Sequence, residues 1–298
     1  MLFKTKDKAS GKTLFRSRPL LVSPQQGYTR PGQGKAWFAT TTTIWRVDEL
    51  IKRSVRDWRR LTDETGHTGE RTGNFRKDHD TAYTGTYSVF AAPLMEWIIL
   101  RYGGERGGKI LDAFAGGPVR AVVSAIMGMH YTGIELRGEQ IAENINVLKK
   151  LKLSNCTFHE SDARFFDIAE KSFDCAITCP PYHNLEKYSD RADDMSNQSS
   201  YEEFNAGMAL CANTQFRHLK PGAFMCIVVG NFRDKTGELV DFPGHTIGNF
   251  REAGFIYWQN VVLCKNFASA TIRSTNAWKG KKLVPASEFL LVFRKPEK

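Results

Sequence analysis

The 298-residue chain contains no apolar run of about 18 residues, so no membrane-spanning helix and no membrane partner is expected. Its first twelve residues, MLFKTKDKASGK, lack the apolar centre of a secretory leader, and none is expected. Cysteine is sparse: Cys156, Cys175, Cys179, Cys211, Cys226 and Cys264 are scattered, with no C-x-x-C pair. That disfavours a disulfide framework or a zinc knuckle; no metal site is assigned, and reduced thiols in a cytoplasm are the expectation. No G-x-G-x-x-G occurs, which disfavours a dinucleotide enzyme. Glycine and proline are not in excess and no internal repeat is seen, so the chain reads as globular.

What is present is a basic balance of uneven distribution. The net charge of +10 divides into +8 over residues 1–80, −4 over 81–260 and +6 over 261–298. A mildly acidic centre flanked by basic arms suits a polyanionic partner, because each phosphate contact releases counterions. A merely solubilising surface is the competing reading.

Hydrophobic periodicity divides the chain into a basic N-terminal extension, residues 1–85, and a main domain, residues 86–298. The extension should be mostly irregular up to residue 36. A helix is expected over 44–61, with Ile44, Val47, Leu50, Ile51, Val55, Trp58 and Leu61 on one side. Its other side carries Lys52, Arg53, Arg56, Arg59 and Arg60. Beyond an apolar helix over 88–102, strands are expected at 109–115, 131–136, 156–161, 173–178, 223–230, 254–264 and 288–294. Helical patterns fall at 118–128, 138–152, 201–219 and 245–253. This alternation predicts an α/β fold with a doubly wound, seven-stranded, mostly parallel sheet. The last two strands have no helical pattern between them, which predicts an antiparallel final strand.

Three of these strands end in residues suited to a nucleoside ligand. The first runs into Asp112-Ala113-Phe114-Ala115-Gly116-Gly117-Pro118. A glycine turn at a strand's C-terminal end lets a ligand approach backbone closely, and Pro118 suits the first turn of the next helix. The second ends at Glu135-Leu136, where a carboxylate can accept from both ribose hydroxyls. The third leads to Asp162-Ala163, where a carboxylate can accept from an adenine amino group, or simply cap a turn. Each signal alone is explicable as structure; three at successive strand ends point to a ligand site.

The fourth strand ends in Thr178-Cys179-Pro180-Pro181-Tyr182. Two prolines cannot continue a central strand, so they fix the backbone at the sheet edge. The polar stretch that follows, 183–200, is expected to be a long loop able to close over a substrate. His183 reads as a loop residue rather than a base.

Together the D-x-F-x-G turn, Tyr131-Thr132-Gly133-Ile134-Glu135, Cys179-Pro180-Pro181-Tyr182, Val228-Val229-Gly230-Asn231-Phe232-Arg233-Asp234 and the closing run from Glu288 to Arg294 resemble bacteriophage and bacterial DNA modification methylases over about 85–298. The resemblance implies a Rossmann-like domain that uses S-adenosylmethionine (SAM) to methylate an exocyclic base amine, N4 of cytosine or N6 of adenine. It implies double-stranded DNA with one base flipped as partner, a monomer or homodimer, and a bacterial or phage-infected cytoplasm. Within it, Tyr87, Ser88 and Phe90 would lie near the methionine end of SAM. Asp112, Phe114, Ala115, Gly116, Gly117, Glu135, Leu136, Asp162 and Ala163 would line the rest of that site. Cys179, Pro180, Pro181 and Tyr182 would form the catalytic motif, usually opened by Asp, Asn or Ser. A side chain at its first position and the first proline's carbonyl accept hydrogen bonds from the amine, while Tyr182 stacks on the flipped base. Cys179 is a weak acceptor. It stands either for a tolerated replacement, for weakened activity, or for a nucleophile. DNA contacts are assigned to Lys52, Arg53, Arg56, Arg60, Lys187, Arg273, Lys279, Lys281 and Lys282, with Trp278 beside the last group. An RNA or protein-amide substrate, or a SAM- and DNA-binding protein with weakened catalysis, remains an alternative.

Overall fold

The computed structural model describes residues 2–6, 13–17, 44–46 and 90–298, apart from 170, 171, 184, 186, 187, 265–276, 279 and 284–286. In chain order the strands are β1 (Leu2–Lys6), β2 (Thr13–Ser17), β3 (Ile44–Arg46), β4 (Lys109–Asp112), β5 (His130–Glu135), β6 (Cys156–Glu160), β7 (Phe173–Thr178), β8 (Leu219–Val229), β9 (Phe232–Arg233), β10 (Leu239–Val240), β11 (Ile256–Cys264) and β12 (Ser287–Arg294). The helices are α1 (Ala92–Tyr102), α2 (Val119–Ile126), α3 (Gly138–Lys150), α4 (Tyr201–His218) and α5 (Phe242–Glu252).

The main sheet has the order β3-β11-β12-β8-β7-β4-β5-β6. Strands β6, β5, β4, β7 and β8 are mutually parallel, and β12 inserts antiparallel between β8 and β11. The seven-stranded doubly wound sheet and its antiparallel last strand are as expected, with β3 added at the edge of β11. Because β5 and β6 extend to one side of β4 while β7 and β8 extend to the other, the order reverses between β4 and β7. Ligands of open α/β sheets bind at such a reversal, outside the strands' carboxyl ends.

Alternation along the strands builds two cores. Ile110, Cys175, Ile177, Cys226, Val228, Leu290 and Val292 face α1, α2 and α3, meeting Met95, Ile98, Ala121, Val123 and Leu148. Their neighbours Leu111, Ala176, Met225, Ile227, Val229, Leu291 and Phe293 face α4 and α5, meeting Phe204, Met208, Cys211, Phe242 and Phe250. Central strands buried on both faces explain the near-continuous apolar runs in the sequence. The helices start where local chemistry permits. Pro93 occupies the first turn of α1, Ser200 accepts from Glu203 N–H at 3.2 Å, and Asp241 accepts from Gly244 N–H at 3.0 Å. No helix among the described residues is long and apolar enough to cross a membrane.

Within residues 1–36, expected to be mostly irregular, β1 and β2 pair as an antiparallel ribbon. One expectation for the extension is corrected. The helix expected from residue 44 does not begin there. Ile44, Trp45 and Arg46 pair in parallel with Val262, Leu263 and Cys264 instead. A β-branched and an aromatic residue suit a strand, and the open edge of β11 satisfies their backbone groups, which outweighs helical spacing. Residues 47–61 lie outside the described residues, and with them Lys52, Arg53, Arg56 and Arg60.

Candidate active site

The glycine turn after β4 is held by a buried polar network. Asp112 is fully buried, at 0% exposure, and all its acceptor capacity is spent within the protein. Its Oδ2 accepts from Arg120 Nε at 2.5 Å and Tyr131 Oη at 2.7 Å; its Oδ1 accepts from Thr178 Oγ1 at 2.7 Å and Phe114 N–H at 3.2 Å. Asp112 therefore shapes the turn and does not itself face a ligand. Arg120, 6% exposed, completes the brace by donating Nη2 to the carbonyls of Phe114 (2.5 Å) and Ala115 (3.1 Å). Burial opposes its charge, but the nearby Asp112 carboxylate outweighs this and holds the guanidinium protonated. Sequence reading missed Arg120, Tyr131 and Thr178, because no local spacing marks a network that joins β4, α2, β5 and β7.

Beyond the brace the turn opens. Gly116 adopts φ +49°, a region that favours glycine, and a Cβ on Gly117 would meet nothing within 4 Å. Glu135 Oε2 accepts from Gly116 N–H at 2.8 Å, and Oε1 from Arg137 N–H at 3.1 Å. Burial raises its carboxyl pKa, and the two N–H donors and Arg137 only partly offset that. Asn144, absent from the sequence reading, fixes the other side of the turn by donating to the Gly116 carbonyl at 2.7 Å. Phe90 lies under the Arg120 guanidinium, 4.8 Å from ring centroid to Cζ. Tyr87 and Ser88 fall outside the described residues. Ala115 and Ala163 are buried and Leu136 is half-buried, all at this edge of the sheet.

Asp162 sits differently from the expectation of a carboxylate open to adenine. Arg164 grips it, with Nη2 at 2.6 Å from Oδ2 and Nε at 3.0 Å from both oxygens. The same guanidinium donates to the Asp193 carbonyl at 2.9 Å. One side chain thus ties the end of β6 to the loop that follows β7.

On the other side of the reversal, β7 delivers Cys179-Pro180-Pro181-Tyr182 beside the glycine turn, since Ile110 and Leu111 of β4 pair with Cys175 and Ala176. Pro180 is buried; Cys179 and Tyr182 are half-buried. The Tyr182 ring meets Phe232 and Phe242 edge-on, with centroids 5.7 and 5.6 Å away. Burial raises its phenol pKa well above the usual value, while the N–H of Gly230 works the other way. His183 is buried, packs on Tyr201 and Phe204, and bonds the Gln198 carbonyl at 2.9 Å, which makes it a loop anchor. The loop's described part is internally tied: Asp194 accepts from Ser189 Oγ and from Ser196 N–H and Oγ at 2.7–2.9 Å.

Of the assigned basic residues, Lys281 and Lys282 are described and exposed, next to a Trp278 that is 81% exposed. Lys282 lies against Gly237 in the turn between β9 and β10. Lys187, Arg273 and Lys279 lie outside the described residues.

No family model matches the sequence, and no curated protein matches it. Among solved structures the fold is similar to that of the [4+2]-cyclase SpnF, with a TM-score of 0.52 at 16% identity, covering 86% of this chain and 98% of SpnF. A SAM-dependent methyltransferase from Methanosarcina mazei aligns with TM-score 0.47 at 16% identity, over 67% of this chain and 98% of that one. TrmN from Thermus thermophilus aligns with TM-score 0.46 at 15% identity over 69% of this chain, which spans about half (49%) of the TrmN chain.

Proposed function

We propose that this chain is a SAM-dependent methyltransferase that modifies an exocyclic amino group of a DNA base, N4 of cytosine or N6 of adenine. The observation that carries the reading is adjacency. A glycine turn with a carboxylate beside it, and a Pro-Pro-Tyr motif, end neighbouring parallel strands at the reversal of the sheet.

The residues fit the donor. Gly116 and Gly117 leave backbone open to close approach. Glu135 has spent two lone pairs on N–H groups and keeps two for ribose hydroxyls. An adenine amine at Asp162 would share that carboxylate with Arg164. When bound, SAM supplies an electrophilic methyl group on a sulfonium.

The chain's own residues then position the acceptor. The Pro180 carbonyl, fixed between two rigid rings, accepts one amine hydrogen and draws the nitrogen toward tetrahedral geometry. The half-buried Tyr182 offers a stacking face to a base taken out of the helix, worth ~1–3 kcal/mol. Positioning in a water-poor pocket provides most of the rate, so no strong base is required. Trp278, Lys281 and Lys282 suit contact with the nucleic-acid backbone and an unstacked base.

The test is incubation with methyl-labelled SAM and unmodified DNA or RNA, digestion to nucleosides, and mass spectrometry. N4-methylcytosine or N6-methyladenine in DNA is the expected product. Label only in RNA would overturn the DNA reading, and 5-methylcytosine would overturn amino-methylation.

A further inference from the structure

The catalytic motif opens with a thiol where a good hydrogen-bond acceptor is needed, and a carboxylate stands close to it in the fold. Strand alternation places Ile177 of β7, Cys226 and Val228 of β8, and Leu290 and Val292 of β12 on one face of the sheet, and Cys179, just past the end of β7, packs against that face. Gly230 and Glu288 continue that face by the same parity, one step beyond Val228 and Leu290, which pair with each other. Gly230 has no side chain, so a notch opens in the middle strand. A Cβ at Gly230 would lie 3.0 Å from Glu288 Cγ and 3.2 Å from Tyr182 Oη. Glu288 and the Tyr182 hydroxyl therefore flank the same notch. Next in the chain, Asn231 holds a buried Oδ1 with no hydrogen-bond partner among the described residues.

We propose that Glu288, from the last strand, supplies the carboxylate acceptor for the target amine that Cys179 cannot supply. The inference rests on the amino-methylation reading and names a catalytic residue of that same site. The carboxylate accepts an N–H of the exocyclic amine, leaving the nitrogen lone pair free to attack. The N–C bond forms as the S–C bond of the donor breaks, and the S–C electron pair stays on sulfur, which leaves as a neutral thioether. One proton of the methylated nitrogen passes to the Glu288 carboxylate and from there to solvent. Gly230 is required because any side chain there would fill the space between Glu288 and Tyr182.

The experiment uses the full chain with methyl-labelled SAM and unmodified DNA. Glu288→Gln, nearly isosteric, and Glu288→Ala are compared with the unaltered protein in single turnover. Loss of a charge-assisted hydrogen bond should slow methylation about 10- to 100-fold, with SAM affinity unchanged. The double variant Glu288→Ala/Cys179→Asp should recover rate, because it restores an acceptor at the first position of the catalytic motif. A binding readout uses sinefungin, an unreactive SAM analogue, with oligonucleotides bearing adenine or cytosine, or purine or 2-pyrimidinone, which lack the amine. The unaltered protein should prefer the amine-bearing set, and Glu288→Ala should lose that preference. Labelled bases with Glu288→Gln within twofold of the unaltered rate, and an unchanged binding preference, would overturn the role of Glu288 alone. Absence of label from every base would overturn amino-methylation itself.

Discussion

Arg120 Nε stands 2.5 Å from Asp112 Oδ2, and both groups are withdrawn from solvent. The pair joins the end of β4 to the first turn of α2, and so closes the glycine turn from behind. Removing one partner strands the other as an uncompensated buried charge, which costs ~3–5 kcal/mol. Asp112→Ala should therefore lower the midpoint of urea denaturation strongly and weaken SAM binding measured by calorimetry. Retention of stability with loss of binding alone would instead show direct contact between Asp112 and the ligand.

Glu135 gives a pH dependence to donor binding. Its carboxyl titrates above the ordinary range because it is buried, and only the ionised form can accept from two hydroxyls. SAM affinity should hold at neutral pH and weaken as the pH falls toward that raised value. Glu135→Gln should bind more weakly at neutral pH and show no such titration. Calorimetric titration between about pH 7 and the ordinary carboxylate range (~4.3) decides it.

Tyr182 separates binding from turnover. Tyr182→Ala should keep SAM affinity and lose most methylation, since it removes the stacking face for the target base. Tyr182→Phe keeps the ring and removes only the hydroxyl at Gly230, so its loss should be smaller. Full turnover by Tyr182→Ala would refute the stacking role.

Asp174 sets an acid limb of stability far from the site. It accepts from Lys109 N–H at 2.8 Å and Lys220 Nζ at 2.7 Å. Burial alone would raise its pKa, but these donors outweigh it and the net shift is downward. A depressed carboxyl stabilises the fold above its unfolded value, about 3.9, and that contribution is lost as the pH falls through the folded value. Asp174→Asn should cost about 1 kcal/mol at pH 7, and the difference should close as the pH falls from about 4 through the folded value. Denaturation midpoints measured from pH 7 down to about pH 2 check this.

The exposed Trp278 and its two lysines provide a salt test. Lys281→Ala/Lys282→Ala should weaken nucleic-acid binding at all sequences and reduce the slope of log K against log salt by about 2. Trp278→Ala should weaken binding to single strands more than it changes the slope. Filter-binding across a salt series measures both.

Much of this was legible in the residues because it is local. The run from Lys109 to Pro118 shows strand, turn and helix start in order, and Thr178-Cys179-Pro180-Pro181 announces a strand that must stop. Period-2 and period-3.6 patterns placed the sheet and its helices within a few residues. What could not be read was set by pairing across the chain. Arg120 looks like an ordinary helix residue until β4 and β7 bring Asp112 and Thr178 beside it. Ile44 to Arg46 fits a helical stripe until the edge of β11 is there to pair with. Asp162 looks like an open carboxylate until a residue two positions away folds back on it. Glu288 opens the closing run of the resemblance but no local pattern marks it for the site, and its place beside Gly230 follows only from the register of β12 on β8.

The network around the glycine turn also bears on how a ligand gains affinity there. Asp112 and Arg120 fix its rear, Asn144 and Glu135 its front, and all four act through protein partners alone. The turn is thus held in one shape by the protein's own contacts, and on the proposed reading that is the shape a ligand meets. Little chain entropy remains to be lost on association, so contact energy with the ligand goes directly into affinity rather than into ordering the loop. On the proposed reading, the network inside the fold and the strength of donor binding are in this way one and the same preorganisation.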